Sequence, residues 1–179
     1  MESQPEHFIS LPLVSKNEES AGLPLVVNVV AKYWGEDIAS QAAGAKGAAM
    51  IDGIVLAESR GFASYIYKSS IKDLKKRVDQ GIPPIVIMPG IQGTVQHAMV
   101  VSGYSSDERR MLTYVPEPDT VGAIPESKFE QDWDQDDMTT IIIIPSDMKD
   151  LLKNDSLKFL KSNRICFEAE GLRQCGKVS

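Results

Sequence analysis

His97 opens the apolar run HAMVVSGY in a chain that has two histidines among 179 residues. An imidazole at the start of a strand can act as a general base when a nucleophile stands opposite and an acid orients the ring. Two acids, Glu117 and Asp119, follow the next apolar run, RMLTYV, and both are credible orienters. The best place for a nucleophile is the N-terminus of a buried helix. Unpaired N–H groups and the helix dipole lower a thiol's pKa there. The stretch EESAGLPLVVNVVAKYWG reads as a polar turn followed by such a helix, and it contains no cysteine.

The elements that would position these groups follow from periodicity. Val26, Val29, Val30 and Tyr33 recur at helical spacing, Val27 and Trp34 widen that face, and Gly35 ends it. Valine disfavours a free helix, so packing must hold this one. Asn17 or Ser20 can cap it, and Pro24 is tolerated in its first turn. DIASQAAGAKGAAMIDGIVLAESRG is expected to be helical, in one or two pieces. FASYIY is a short strand. Ser70 caps a helix marked by Ile71, Leu74 and Val78 and stopped by Gly81. PPIVIMPG, HAMVVSGY, RMLTYV and MTTIIIIP read as strands, with PEPDTVGAIP a long turn. ESKFEQDW is a helix with Phe129 and Trp133 on one face. HFISLPLV is extended, as an edge strand would be. Helices first and an antiparallel sheet made largely from the second half define an α+β fold.

This size reads as one domain. We set it at residues 1–148, with a charged helical extension over 149–179 that could begin a further helical region. The net charge of -6 argues against a nucleic-acid surface. No apolar run is long enough to span a bilayer, and MESQPEHFIS is no secretory leader, so the expected setting is the cytosol. Cys166 and Cys175 form no zinc motif and are expected to be unpaired thiols in a helical tail. Two distant histidines, His97 and His7 in a terminal arm, make no metal site. GIQGT lacks the spacing of a phosphate loop and is expected beside His97. No cofactor is expected.

The order and spacing of several segments resemble the papain-like peptidases that cleave double-glycine leaders from bacteriocins, the C39-like cysteine peptidases. The resemblance covers roughly residues 9–145. SKNEESAGLPLVVNVVAKYWG is similar to that family's polar turn and first helix. IKDLKKRVDQGIPPIVIM is similar to its helix leading into a strand, and QHAMVVSGY to its catalytic-histidine strand. YVPEPDTVG resembles the segment with an Asp-Pro, and IPESKFEQDW the helix before the last strand.

The resemblance implies a papain-like fold and a catalytic site, and the chain departs from that site. The nucleophile position falls on Ala21, before Gly22. The oxyanion glutamine, six residues earlier, falls on Ser15. The Asp-Pro falls on Glu117-Pro118, and His97 alone is unaltered. Alanine cannot attack a carbonyl, and serine is shorter than the amide donor it replaces. Ser20 has no evident activator and reads as a cap. Natural loss of the nucleophile would explain both Ala21 and Ser15; a replaced cysteine would explain Ala21 alone. The resemblance therefore implies a non-catalytic domain that binds an extended peptide or protein partner in a scaffold or assembly role. The alternative is a cysteine peptidase cleaving after small residues of the Gly-Gly type, with its nucleophile at position 21 changed to Ala.

Overall fold

The computed structural model describes residues 7–12, 25–36, 38, 50–88, 97–116 and 119–170. Within them the strands are β1 (His7–Phe8), β2 (Phe62–Lys68), β3 (Ile85–Met88), β4 (His97–Ser105), β5 (Arg110–Pro116), β6 (Asp119–Pro125) and β7 (Thr139–Pro145). The helices are α1 (Leu25–Tyr33), α2 (Met50–Ser59), α3 (Ile71–Asp79), α4 (Glu126–Asp134) and α5 (Leu160–Glu170), with a 3-10 helix over Ser146–Leu152. The strands form one sheet in the order β2-β7-β3-β4-β5-β6, with β1 paired to β4. Every pairing is antiparallel. The chain is α+β, as its segregated periodicities imply.

Strand alternation sorts the core into layers. Ile85, Ile87, Val100, Ile141 and Ile143 pack with the valines of α1 and with Ile54 of α2. Val86, Met88, Met99 and Val101 pack with Leu74 and Val78 of α3 and with Phe129 and Trp133 of α4. Ile142 and Ile144 of β7 pack with Tyr67, Ile82 and Leu152. In α1, Val27, Val29 and Val30 are fully buried. Each such side chain contributes roughly 1.5 kcal/mol or more on leaving water, which offsets valine's poor helix propensity. The helix stops where Gly35 turns left-handed at φ +96. Glu36 N then donates to Ala31 O at 3.0 Å and Gly35 N to Lys32 O at 2.9 Å, satisfying the last carbonyls. In α3, Ser70 accepts from Asp73 N at 3.1 Å, the cap its sequence predicts. The proposed caps Asn17 and Ser20, and Pro24, lie outside the described residues, as does GIQGT.

Two expectations are corrected. PEPDTVGAIP is not a long turn: Asp119–Pro125 is β6, paired with β5 from Pro116↔Asp119 to Arg110↔Pro125 without a break in register. Only Glu117 and Pro118 separate the two strands, so the pair is a hairpin with a two-residue loop. The prolines that suggested a turn stand at the strand's borders, where a missing N–H costs little. The second correction concerns the thiols. Cys166 is disulfide-bonded. Cys175, the chain's only other cysteine, lies outside the described residues.

The segment after β7 is fastened to the sheet's β2 side. Phe167 of α5 is fully buried with α2 and β2 residues. Arg164 grips Glu58 in a fork of 2.8 and 3.0 Å. Lys158 bridges to Lys68, and Asp155 meets Lys76 at 2.6 Å and Arg77 at 2.8 Å. Hydrogen bonds from Lys76 and Arg77 hold the Asp155 carboxyl below the ordinary carboxylate range. Burial alone would raise Glu58, but hydrogen bonds from Arg164 and Ser64 outweigh it and lower the group overall. A depressed carboxylate adds stability above its unfolded pKa of about 4 and loses it as pH falls through the folded value. We therefore expect residues 153–170 to loosen in acid before the sheet does. Limited proteolysis at pH 3 and pH 7 checks this. Equal resistance of this segment at both values would contradict it.

Candidate functional site

One end of the sheet collects several of the segments singled out in the sequence. His97 is the first residue of β4 and pairs with Met88, the last of β3. Pro116 ends β5 and faces Asp119, the first residue of β6. These termini share an end because every strand here is antiparallel to its neighbour. Ser15, Ala21, Gly22 and Glu117 lie outside the described residues. Helix α1 begins at Leu25, four positions after Ala21.

Alternation along β4 divides its side chains between the two main layers of the core. Along β4, Met99 and Val101 belong to the layer of α3 and α4, whereas Ala98 and Val100 belong to the layer of α1.

A second polar group was not foreseen from the sequence. Arg77, 1% exposed, donates to Asp73 at 2.7 Å, to Asp155 at 2.8 Å and to Gln80 at 2.9 Å. Tyr67 and Ser69 both donate to the other oxygen of Asp73. Burial, reinforced by the Asp73 charge, raises the Tyr67 hydroxyl well above its ordinary pKa. These groups line a cavity of about 230 Å³ with Lys68, Ser70, Ser156 and Lys158. Every oxygen of the two carboxylates has a donor, so the cluster fastens α3 to the segment before α5. The Asp73–Arg77 pair was visible at helical i,i+4 spacing. Asp155, 78 positions beyond Arg77, left no local signal.

Among the described residues, no three of His, Cys, Asp and Glu converge as a metal would require. No helix among them is long and apolar enough to cross a membrane.

Comparison with known proteins bears on the fold and on the site. Residues 24–141 match the model of the Peptidase_C39 like family. That span includes His97 and Glu117 and begins after Ser15 and Ala21. Among solved structures, the peptidase domain of Streptococcus ComA, a bi-functional ABC transporter involved in a quorum-sensing pathway, superposes with a TM-score of 0.54 at 23% identity. The match covers 75% of this chain and 97% of that one. A double glycine motif protease from an AMS/PCAT transporter, in complex with the leader peptide, superposes with a TM-score of 0.54 at 15% identity, over 78% of this chain and 95% of that one. At these identities the two structures share the fold. No curated protein sequence matches the chain.

Proposed function

The chain belongs to the Peptidase C39-like family, and from that premise we propose that it is a non-catalytic member that holds an extended peptide or protein segment in an assembly role. One observation carries the proposal: alanine stands at position 21 and serine at position 15, where the family resemblance calls for the nucleophile and the oxyanion donor. No other thiol takes over. Cys166 is in a disulfide on α5, against β2, and β2 lies three strands from β4. At roughly 4.8 Å per strand that is about 14 Å. His97 without a nucleophile cannot start acyl transfer. A groove shaped for an extended chain can still bind one through backbone hydrogen bonds. The relative solved with its leader peptide supports that use of the fold.

A second reading keeps the catalysis: a cysteine peptidase of Gly-Gly specificity recorded with position 21 changed to alanine. It rests on His97 and Glu117, which stand in the sequence where the family resemblance calls for the base and the acid that orients it. The native codon at position 21 separates the two readings, and so does repair. We expect A21C and A21C/S15Q to show no thiol-dependent hydrolysis of a Gly-Gly peptide, while the unaltered chain binds that peptide measurably in a fluorescence-anisotropy titration. Hydrolysis restored by A21C alone would transfer the conclusion to the peptidase.

The cytosolic setting expected from the sequence is kept as a proposal, and the Cys166 disulfide, which an ordinary cytosol would reduce, is the feature that bears against it.

A further inference from the structure

The polar cluster around Arg77 is left with donors to spare. Asp73 Oδ1 accepts from Arg77, and Oδ2 accepts from Tyr67 and Ser69. Asp155 Oδ1 accepts from Lys76, and Oδ2 accepts from Arg77. Each carboxylate oxygen therefore already has a protein donor. The reverse does not hold. Arg77 Nη1 and Nη2 have their acceptors, but Nε of the same guanidinium is buried with no hydrogen-bond partner. Arg77 is 1% exposed, so bulk water does not serve that N–H. A buried donor of a charged group is rarely left without an acceptor.

Arg77 lines the cavity of about 230 Å³ between the start of α3 and the segment before α5. Lys68, Ser70, Ser156 and Lys158 line it too. Among the described residues, neither the Lys158 ammonium nor the Ser156 hydroxyl has a hydrogen-bond or ion-pair partner. Lys68 Nζ meets one carboxylate, Asp137 at 3.1 Å, and keeps further protons to give. The Ser70 oxygen caps Asp73 N, which leaves its own proton free to donate. The first turn of α3, a helix of nine residues, adds the positive end of its dipole and its leading N–H groups. Along the lining, Lys68, Arg77 and Lys158 outnumber Asp73 and Asp155, while the flanking Lys76 and Asp137 cancel. The space is rich in unused donors and positive on balance.

We propose that this cavity binds a phosphoryl group, free or esterified, through Arg77 Nε, Lys158, Ser156 and the first turn of α3. The donor set selects the ligand class. Guanidinium, ammonium, hydroxyl and a helix N-terminus are the groups that take phosphate oxygens. A metal cation would find both carboxylates already engaged by protein cations. Size agrees. A water occupies about 30 Å³ of liquid, so the space admits a phosphoryl group with a small part of the molecule that carries it. A ligand held there ties α3 and the end of β2 to the segment before α5. The site is separate from His97, since β2 lies three strands from β4. It is also independent of the peptide-holding reading.

The test titrates the full chain with inorganic phosphate and with methyl phosphate at constant ionic strength, with sodium chloride as the control. Calorimetry gives Kd, and the proton–nitrogen NMR signal of the Arg77 Nε–H reports on the site itself. K158Q and S156A each remove a donor that has no other partner, so neither should unfold the chain. K153Q removes an exposed lysine of the same segment that does not line the cavity. We expect saturable binding and a shift of the Arg77 Nε–H signal that chloride does not cause. Kd should weaken about tenfold in K158Q and about threefold in S156A, and stay at the parent value in K153Q. Tighter binding of methyl phosphate would support an esterified ligand, and tighter binding of inorganic phosphate would support the free anion. If neither phosphate moves the Arg77 signal, the proposal is overturned. It is overturned equally if K158Q and S156A bind like the parent, or if K153Q weakens binding as much as K158Q, because the anion then answers to diffuse charge rather than to this cavity.

Discussion

Replacing Arg77 with methionine is expected to lower the unfolding free energy by about 3–5 kcal/mol, the cost of removing one partner from a buried charge cluster. Arg77 is 1% exposed, and its guanidinium joins Asp73 on its own helix to Asp155, 78 residues away. Methionine fills much of the same volume, so the loss would not come from a cavity. It would come from two carboxylates left without their main counter-charge. The side chains of Asp73 and Asp155 are only 20% and 15% exposed, so water can screen them only in part. The Tyr67 and Ser69 hydroxyls would still donate to Asp73, and Lys76 to Asp155, which keeps the loss from growing further. Urea unfolding followed by tryptophan fluorescence gives the value. The double variant D73N/R77M should recover part of the loss, because it removes one of the stranded charges. A single-variant loss below about 1 kcal/mol would mean that the guanidinium only decorates the cluster.

Trp133→Ala is expected to cost about 3–5 kcal/mol, the usual range for emptying a core site of an aromatic ring. Trp133 is fully buried between α4 and the sheet. Its Nε1 donates to Thr139 O at 3.2 Å, and its ring tilts against Phe129 at 5.5 Å between centroids. That hydrogen bond ties the end of α4 to the start of β7 across a tight turn in which Asp137 and Met138 both adopt positive φ. Trp133→Phe should cost less, since it retains one six-membered ring in the core while losing the donor and the smaller ring of the indole. Equal losses in the two variants would show that the hydrogen bond, rather than the filled volume, carries the contribution.

Local signals explain which parts of this fold were readable. α3 was legible because Ser70, the spacing of Ile71, Leu74 and Val78, and Gly81 all agree on one short helix. β7 was legible because four consecutive isoleucines bounded by Pro145 suit a strand buried on both faces. β6 was missed because Pro118, Gly122 and Pro125 are turn residues by type. Pairing with β5 makes Pro125 the strand's end and holds Gly122 in its interior opposite Thr113. The disulfide was missed because two cysteines nine positions apart in a charged segment carry no framework signal. The strand that His97 opens was legible, since HAMVVSGY is an unbroken apolar run after a polar loop. The cavity beside Arg77 was not: Lys68, Arg77 and Lys158 come from β2, α3 and the segment before α5, which only the folded topology brings together.

The two margins of the sheet are unequally guarded. Along β2, Lys158 bridges Lys68 and α5 lies over the strand. Along β6, no further strand pairs among the described residues, Val121 is 72% exposed, and no charged residue stands between Thr120 and Ile124. The Arg110 guanidinium, 3.3 Å from Ala123 O, touches this rim at one point only. Bare backbone rims template contacts between molecules, and fibrils grow when each molecule offers two of them. Were the β6 rim of one copy to pair with that of another, the fenced β2 rims would leave no second open edge among the described residues for a third copy to join.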